Sequence, residues 1–200
     1  MKTLLTIVAL TLLAACGTRE VLQARSADVP HGVNFSGNWQ IRPEMANDQR
    51  RLQEAIRRTD GVDDRDVFRS QIPAGKQQRR RSGGRRGVKG GLVDVFLETG
   101  RNLKVTQTAD GIFISFDRAV VEEYRFGEQR EINVGEVTAQ RVSGWEGEQY
   151  VVETLDKNGM KLTERYRLMD GGRVLLREIT FRSRSLEEHT ILQEYVRVES

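Results

Sequence analysis

Asn102-Leu-Lys-Val-Thr-Gln-Thr-Ala-Asp-Gly-Ile-Phe-Ile-Ser-Phe116 is the stretch that decides the fold. Leu103 and Val105 alternate with Lys104 and Thr106, the two-residue period of a strand with one buried face. Asp110-Gly111 follows, a pair suited to the positive φ angles of a tight hairpin turn. Beyond it Ile112, Ile114 and Phe116 again share one face. The pattern continues to the end of the chain. Val120 to Phe126, Glu136 to Gly144, Gln149 to Leu155, Met160 to Leu168, Arg173 to Arg182 and His189 to Val198 read as strands, with Asn158-Gly159 and Asp170-Gly171 as further turns. A strand around Trp39 brings the count to about nine. Short strands at this spacing predict a mainly β fold, an antiparallel meander forming a barrel or barrel-like sheet.

Upstream the character changes. Asn34 to Ile41 reads as the first strand, and Pro43 opens a helix, since proline is favoured in a first turn. Met45, Leu52, Ala55 and Ile56 give that helix one thin apolar stripe. From residue 59 to residue 91 the composition predicts a largely disordered insertion, because it offers too little apolar surface to hold one conformation. Within it Lys76, Arg79, Arg80, Arg81, Arg85, Arg86 and Lys89 form a basic run with no acidic residue. Leu92 to Leu97 is a short apolar element, helix or strand. Residues 34–200 thus form one β-barrel-like domain, and residues 16–33, polar and without a period, read as a tether.

The first fifteen residues are a different object. Lys2 is a positive n-region, Leu4 to Leu13 an apolar h-region, and Ala14-Ala15 the small residues before a cleavage point. The run is too short to span a bilayer as a helix, which needs about 20 apolar residues. Leu13-Ala14-Ala15-Cys16 resembles the lipobox of bacterial lipoproteins. That resemblance implies removal of residues 1–15 and acylation of Cys16, the only cysteine, as the first mature residue. It also implies a partner, the membrane, and a place, the bacterial envelope. Gly17, where an aspartate would favour the inner membrane, points to the outer membrane, facing the periplasm. With its thiol acylated, the mature protein has no internal disulfide.

Two further resemblances concern the domain. Phe35-Ser-Gly-Asn-Trp39 resembles the G-x-W opening of lipocalin-type barrels, where the tryptophan closes one end. The threonine-aspartate-tyrosine motif of true lipocalins is absent. More broadly, residues 34–182 are similar to an uncharacterised group of bacterial secreted and lipoprotein sequences. They share the F-S-G-x-W-x-[IL] opening, a Gly/Arg-rich loop, Leu103-Lys-Val-Thr-Gln-Thr108 and Leu162-Thr-Glu-Arg-Tyr-Arg-Leu168. The resemblance implies a lipocalin-like barrel and no particular activity.

Catalytic chemistry finds little to stand on. The histidines, His31 and His189, lack a metal-ligand partner at i+4. There is no G-x-S-x-G elbow, and Gly75-Lys76 is followed by glutamine, not the serine or threonine of a phosphate loop. No catalytic residue, metal or cofactor is expected. The arginines of the basic run, Arg79, Arg80, Arg81, Arg85 and Arg86, admit two readings: contact with an anionic lipid surface, or a solvated loop. No aromatic residue is interleaved among them, so base stacking lacks a platform and nucleic acid is not an expected partner.

The strand faces carry the sharper expectation. Two-residue turns at Asp170-Gly171 and Asn158-Gly159 would place Tyr166 opposite Leu175, Glu164 opposite Arg177, and Glu153 opposite Glu164. The inner face would then hold Glu153, Glu164, Tyr166 and Arg177 among Val151, Leu155, Leu162, Leu175 and Ile179. Such a group is a structural ion triad or the polar floor of a ligand pocket. A one-residue slip would turn a strand inside out. The expected function is non-catalytic binding of a small apolar or amphipathic ligand, or of an envelope protein. The alternative is a structural or assembly lipoprotein with a filled barrel. The lumen discriminates between them.

Overall fold

The computed structural model describes residues 20–45, 51, 92–135, 137–182 and 187–199. Its ten strands are β1 (Gly37–Ile41), β2 (Asn102–Gln107), β3 (Gly111–Phe116), β4 (Val120–Arg125), β5 (Glu128–Val134), β6 (Val137–Glu146), β7 (Gln149–Asp156), β8 (Lys161–Met169), β9 (Val174–Arg182) and β10 (Glu188–Val198). They form one antiparallel sheet in the order β4-β3-β2-β1-β10-β9-β8-β7-β6-β5. The first strand therefore sits in the middle, paired with β2 on one side and β10 on the other. This is a nearly closed antiparallel barrel with β4 and β5 at the two edges of its seam.

Side chains close that seam. Ser143 Oγ donates to the Arg125 carbonyl at 2.7 Å. The Phe126 ring lies 5.4 Å from Trp145 and 5.6 Å from Tyr150, and Tyr124 lies 6.4 Å from Tyr150. The strand beside the seam is the one the sequence pattern does not reveal. Glu128-Gln-Arg-Glu-Ile-Asn-Val134 is mostly polar, with Ile132 its one partly buried apolar side chain, as suits an edge strand that charge protects from unwanted pairing.

Leu92 to Leu97 resolves as a helix, α1 (Leu92–Phe96), which plugs the end where β8 begins and β9 ends. Leu92, Val93 and Phe96 pack there against Ala139, Met160, Leu162, Ile179 and Phe181. At the opposite end Phe35, Trp39 and Trp145 pack together, with the Trp39 indole donating to the Phe35 carbonyl at 3.0 Å. After Pro43 the described chain makes a 3-10 turn, Pro43–Met45, and Arg51, within the expected helix, is helical. The signal segment, Cys16, the rest of the expected helix and the basic run lie outside the described residues.

Three expectations change. From Glu20 onward the segment read as a tether lies against the barrel wall. Leu22 is buried with Val142 and Leu155, and Ser26 makes a β-bridge to Trp145. Gly144 makes this approach feasible, since a Cβ there would sit 2.5 Å from the Ser26 carbonyl oxygen.

The β8–β9 turn is longer than two residues. Met169 pairs with Val174, and Asp170, Gly171 and Gly172 all have positive φ. Pairing shifts by two, so Tyr166 faces Arg177 and Glu164 faces Ile179; an even shift keeps every side chain on its expected face.

The β7–β8 turn gains one residue because the Asp156 carboxylate accepts the backbone N–H groups of Asn158 at 2.7 Å and Met160 at 2.9 Å. An odd shift reverses β7. Glu153 pairs with Thr163, Val152 with Glu164, and Glu153 points outward.

Candidate functional site: the polar layer inside the barrel

Alternation along β8, β9 and β10 brings Glu164, Tyr166, Arg177, Gln193 and Tyr195 to one level of the lumen. Arg177 is 0% exposed and Glu164 2%. The guanidinium donates to Glu164 Oε2 through Nε at 3.0 Å and Nη2 at 2.5 Å, to Gln193 Oε1 at 3.2 Å and to the Glu98 carbonyl at 2.8 Å. Tyr166 donates to the same Glu164 oxygen at 2.7 Å. The Tyr195 hydroxyl lies 3.0 Å from the Gly100 carbonyl and 3.1 Å from Gln193 Oε1.

Burial works against the charge of Arg177. The Tyr166 and Glu164 oxygens outweigh it and hold the guanidinium protonated more firmly than usual. Burial drives the Tyr166 hydroxyl well above its ordinary range, so it stays a neutral donor.

A second cation lies nearer α1. Arg141 donates to Thr154 Oγ1 at 3.3 Å and pairs with Glu122 at 3.5 Å. Its guanidinium is 5.4 Å from the centres of both the Phe96 and Tyr124 rings. Burial pushes the Glu122 carboxyl up, against the pull of Arg141.

These contacts cross the lumen. Arg177 on β9 reaches to 5.0 Å from the Phe116 ring on β3, with three strands between them around the sheet. Arg141 and Tyr150 meet Tyr124 from across the seam. The interior is packed with the protein's own aromatic rings and paired charges. The described clefts are open. One of about 460 Å³ lies at the far rim between Val33, Glu146, Gln149, Arg167, Leu168 and Met169, and one of about 790 Å³ lies against β1, β2 and β3.

Of the four residues expected to share a site, Glu164, Tyr166 and Arg177 come together and Glu153 does not. Glu153, 4% exposed, is covered on the outer wall by the N-terminal segment, with Arg25 at 2.5 Å and Lys161 at 2.6 Å. Burial raises its carboxyl, but the bonds from Lys161 and Arg25 outweigh that and hold it below its ordinary 4.5.

A depressed carboxylate stabilises the fold fully above the unfolded value and loses that contribution as pH falls through the folded one. The difference in melting temperature between wild type and Glu153→Gln should therefore shrink as pH drops below 4.5. A difference that stays constant through that range would contradict the pairing.

Gln193, Tyr195, Arg141 and Glu122 were missed as lumen residues. The signal was present for two of them. Gln193 shares its face with Ile191 and Tyr195, and Arg141 shares its face with Ala139 and Trp145. His189 stacks on Phe181 with ring centres 5.1 Å apart. Among the described residues no cluster of His, Cys, Asp or Glu has the makings of a metal site.

No family model and no curated protein matches the sequence. Among solved structures, the chain is similar to lipid binding protein 8 of Caenorhabditis elegans, at 12% identity and a TM-score of 0.47, over 82% of this chain and 95% of that one. It is also similar to secretory abundant heat soluble protein 4 of Ramazzottius varieornatus, at 14% identity and 0.45, over 84% and 97%. A third is the zebrafish ileal bile acid-binding protein complexed with cholic acid, at 10% and 0.41, over 82% and 98%. These likenesses are too distant to add to the barrel assignment, which follows from the strand order itself.

Proposed function

We propose that this protein is a non-catalytic lipoprotein of the bacterial envelope. It is anchored through acyl chains on Cys16, in the outer membrane facing the periplasm, and its barrel is a filled scaffold that meets an envelope partner with its outer surface. The observation that carries this reading is the lumen. Arg177, the fully buried cation of the lumen, is already neutralised by Glu164 and capped by the Phe116 ring. Lipid insertion contributes about 0.8 kcal/mol per buried methylene, so several chains would anchor the domain durably.

A second reading, a small amphipathic ligand in the lumen, is favoured by one atom. Gln193 Nε2 is buried with no acceptor among the described residues, while its Oε1 is fixed by Arg177. An unmet buried donor is unfavourable by about 1–3 kcal/mol and invites an acceptor oxygen.

Mass spectrometry of the protein purified from its own membrane separates the two readings. A co-purified protein without a small molecule supports the scaffold; a stoichiometric amphiphile beyond the acyl chains overturns it in favour of lumen binding. Cys16→Ser should abolish labelling by radioactive palmitate and move the protein out of the detergent phase. An unlabelled, detergent-independent wild type would refute the anchor.

A further inference from the structure

From Glu20 to Ser26 the N-terminal segment is held on the barrel wall. At one corner Glu20 pairs with Arg182 and, at 3.2 Å, with Lys161. Leu22 follows into a buried contact with Val142 and Leu155. Arg25 then binds Glu153 at 2.5 Å and Glu146 at 3.0 Å. Ser26 exchanges backbone hydrogen bonds with Trp145 at 3.3 and 2.9 Å. Lys161 begins β8 and Arg182 ends β9, whereas Trp145 and Glu146 end β6 at the opposite rim. Read from Ser26 back to Glu20, the segment runs along the wall from the far rim to the end plugged by α1.

Only Gly17, Thr18 and Arg19 separate Glu20 from Cys16, a span of four residue steps. Even fully extended they reach about 14 Å, at 3.3–3.6 Å per residue. The nine residues of β9 measure about 30 Å at 3.3 Å each. An anchor at Cys16 is therefore short compared with the barrel, and the chain is fixed to the wall before it can swing freely.

We infer that the barrel stands end-on to a phospholipid surface. The α1 end, with the Lys157–Met160 turn, faces the lipid, and the far rim, with Glu146, Glu148 and the cleft beside Val33, is turned away from it. The inference rests on acylation of Cys16. It goes further by assigning which end of the barrel meets the membrane.

Because Cys16 is the only cysteine, an introduced thiol in the acylated protein is a unique labelling site. Lys157→Cys marks the α1 end and Glu148→Cys the far rim; both positions are exposed turn residues. Each full-length acylated variant, labelled with bimane, is reconstituted into vesicles of phosphatidylethanolamine and phosphatidylglycerol carrying a headgroup nitroxide. Fluorescence at residue 157 should be lost to quenching, and that at residue 148 retained. Equal quenching at both sites, as in a barrel lying on its side, or the reverse order, would overturn the stance while leaving the anchor intact. Absence of vesicle binding together with absence of palmitate labelling would overturn the stance by removing its anchor.

Discussion

Arg177→Met should destabilise the barrel by roughly 3–5 kcal/mol, the usual effect of stranding one partner of a buried ion pair. The guanidinium is fully buried, and its loss leaves Glu164 charged in the lumen with Tyr166 as its remaining donor. It also leaves Gln193 Oε1 and the Glu98 carbonyl without the N–H groups that now serve them. Combining Arg177→Met with Glu164→Gln should recover much of the loss, since no uncompensated charge remains. Glu153→Gln should bring no such recovery, because Glu153 lies on the outer wall with its own cations. Chemical denaturation of the four proteins of the Arg177–Glu164 cycle measures this directly. Coupling near zero would show that the two groups do not share the lumen.

Trp39→Ala should be comparably severe, at about 3–5 kcal/mol, the range for deleting a large buried aromatic side chain. Trp39 is 1% exposed and sits on the strand that joins β2 to β10, opposite Leu103 and Arg197. Its removal opens the Phe35 end of the core and releases the Phe35 carbonyl from the indole N–H. It also removes the ring over which the Arg197 guanidinium lies at 4.2 Å. Trp39→Phe retains much of the volume and should lose markedly less. A melting temperature for Trp39→Ala within a few degrees of wild type would mean that this end of the barrel closes without the indole.

The strands other than β5 were legible because each carries its own evidence. Leu103 and Val105, or Ile112, Ile114 and Phe116, announce a buried face by period alone, and that face needs no knowledge of its neighbours. β5 has no such signature, since an edge strand beside a seam buries little. The lumen site was half legible. Glu164, Tyr166 and Arg177 were placed together correctly, although the β8–β9 register was off by two, because side-chain facing depends only on whether the shift is odd or even. Glu153 was misplaced by a single residue. The Asp156 side chain took two backbone N–H groups that a two-residue turn would not have offered it, and so lengthened the turn by one.

Local pattern in the sequence determined the strand content, the hairpin order and the inward face of most strands, since these depend on periods of two and on turn residues a few positions apart. Only the tertiary structure decided that β1 bridges β2 and β10, that Arg177 reaches the Phe116 ring, and that residues from Glu20 onward lie on the wall instead of trailing from it. Each of these joins groups tens of residues or more apart in the chain: Glu20 to Arg182, Phe116 to Arg177, Trp39 to Arg197. Such contacts are selected by closure of the whole barrel, which brings together side chains whose own neighbourhoods carry no sign of the partner.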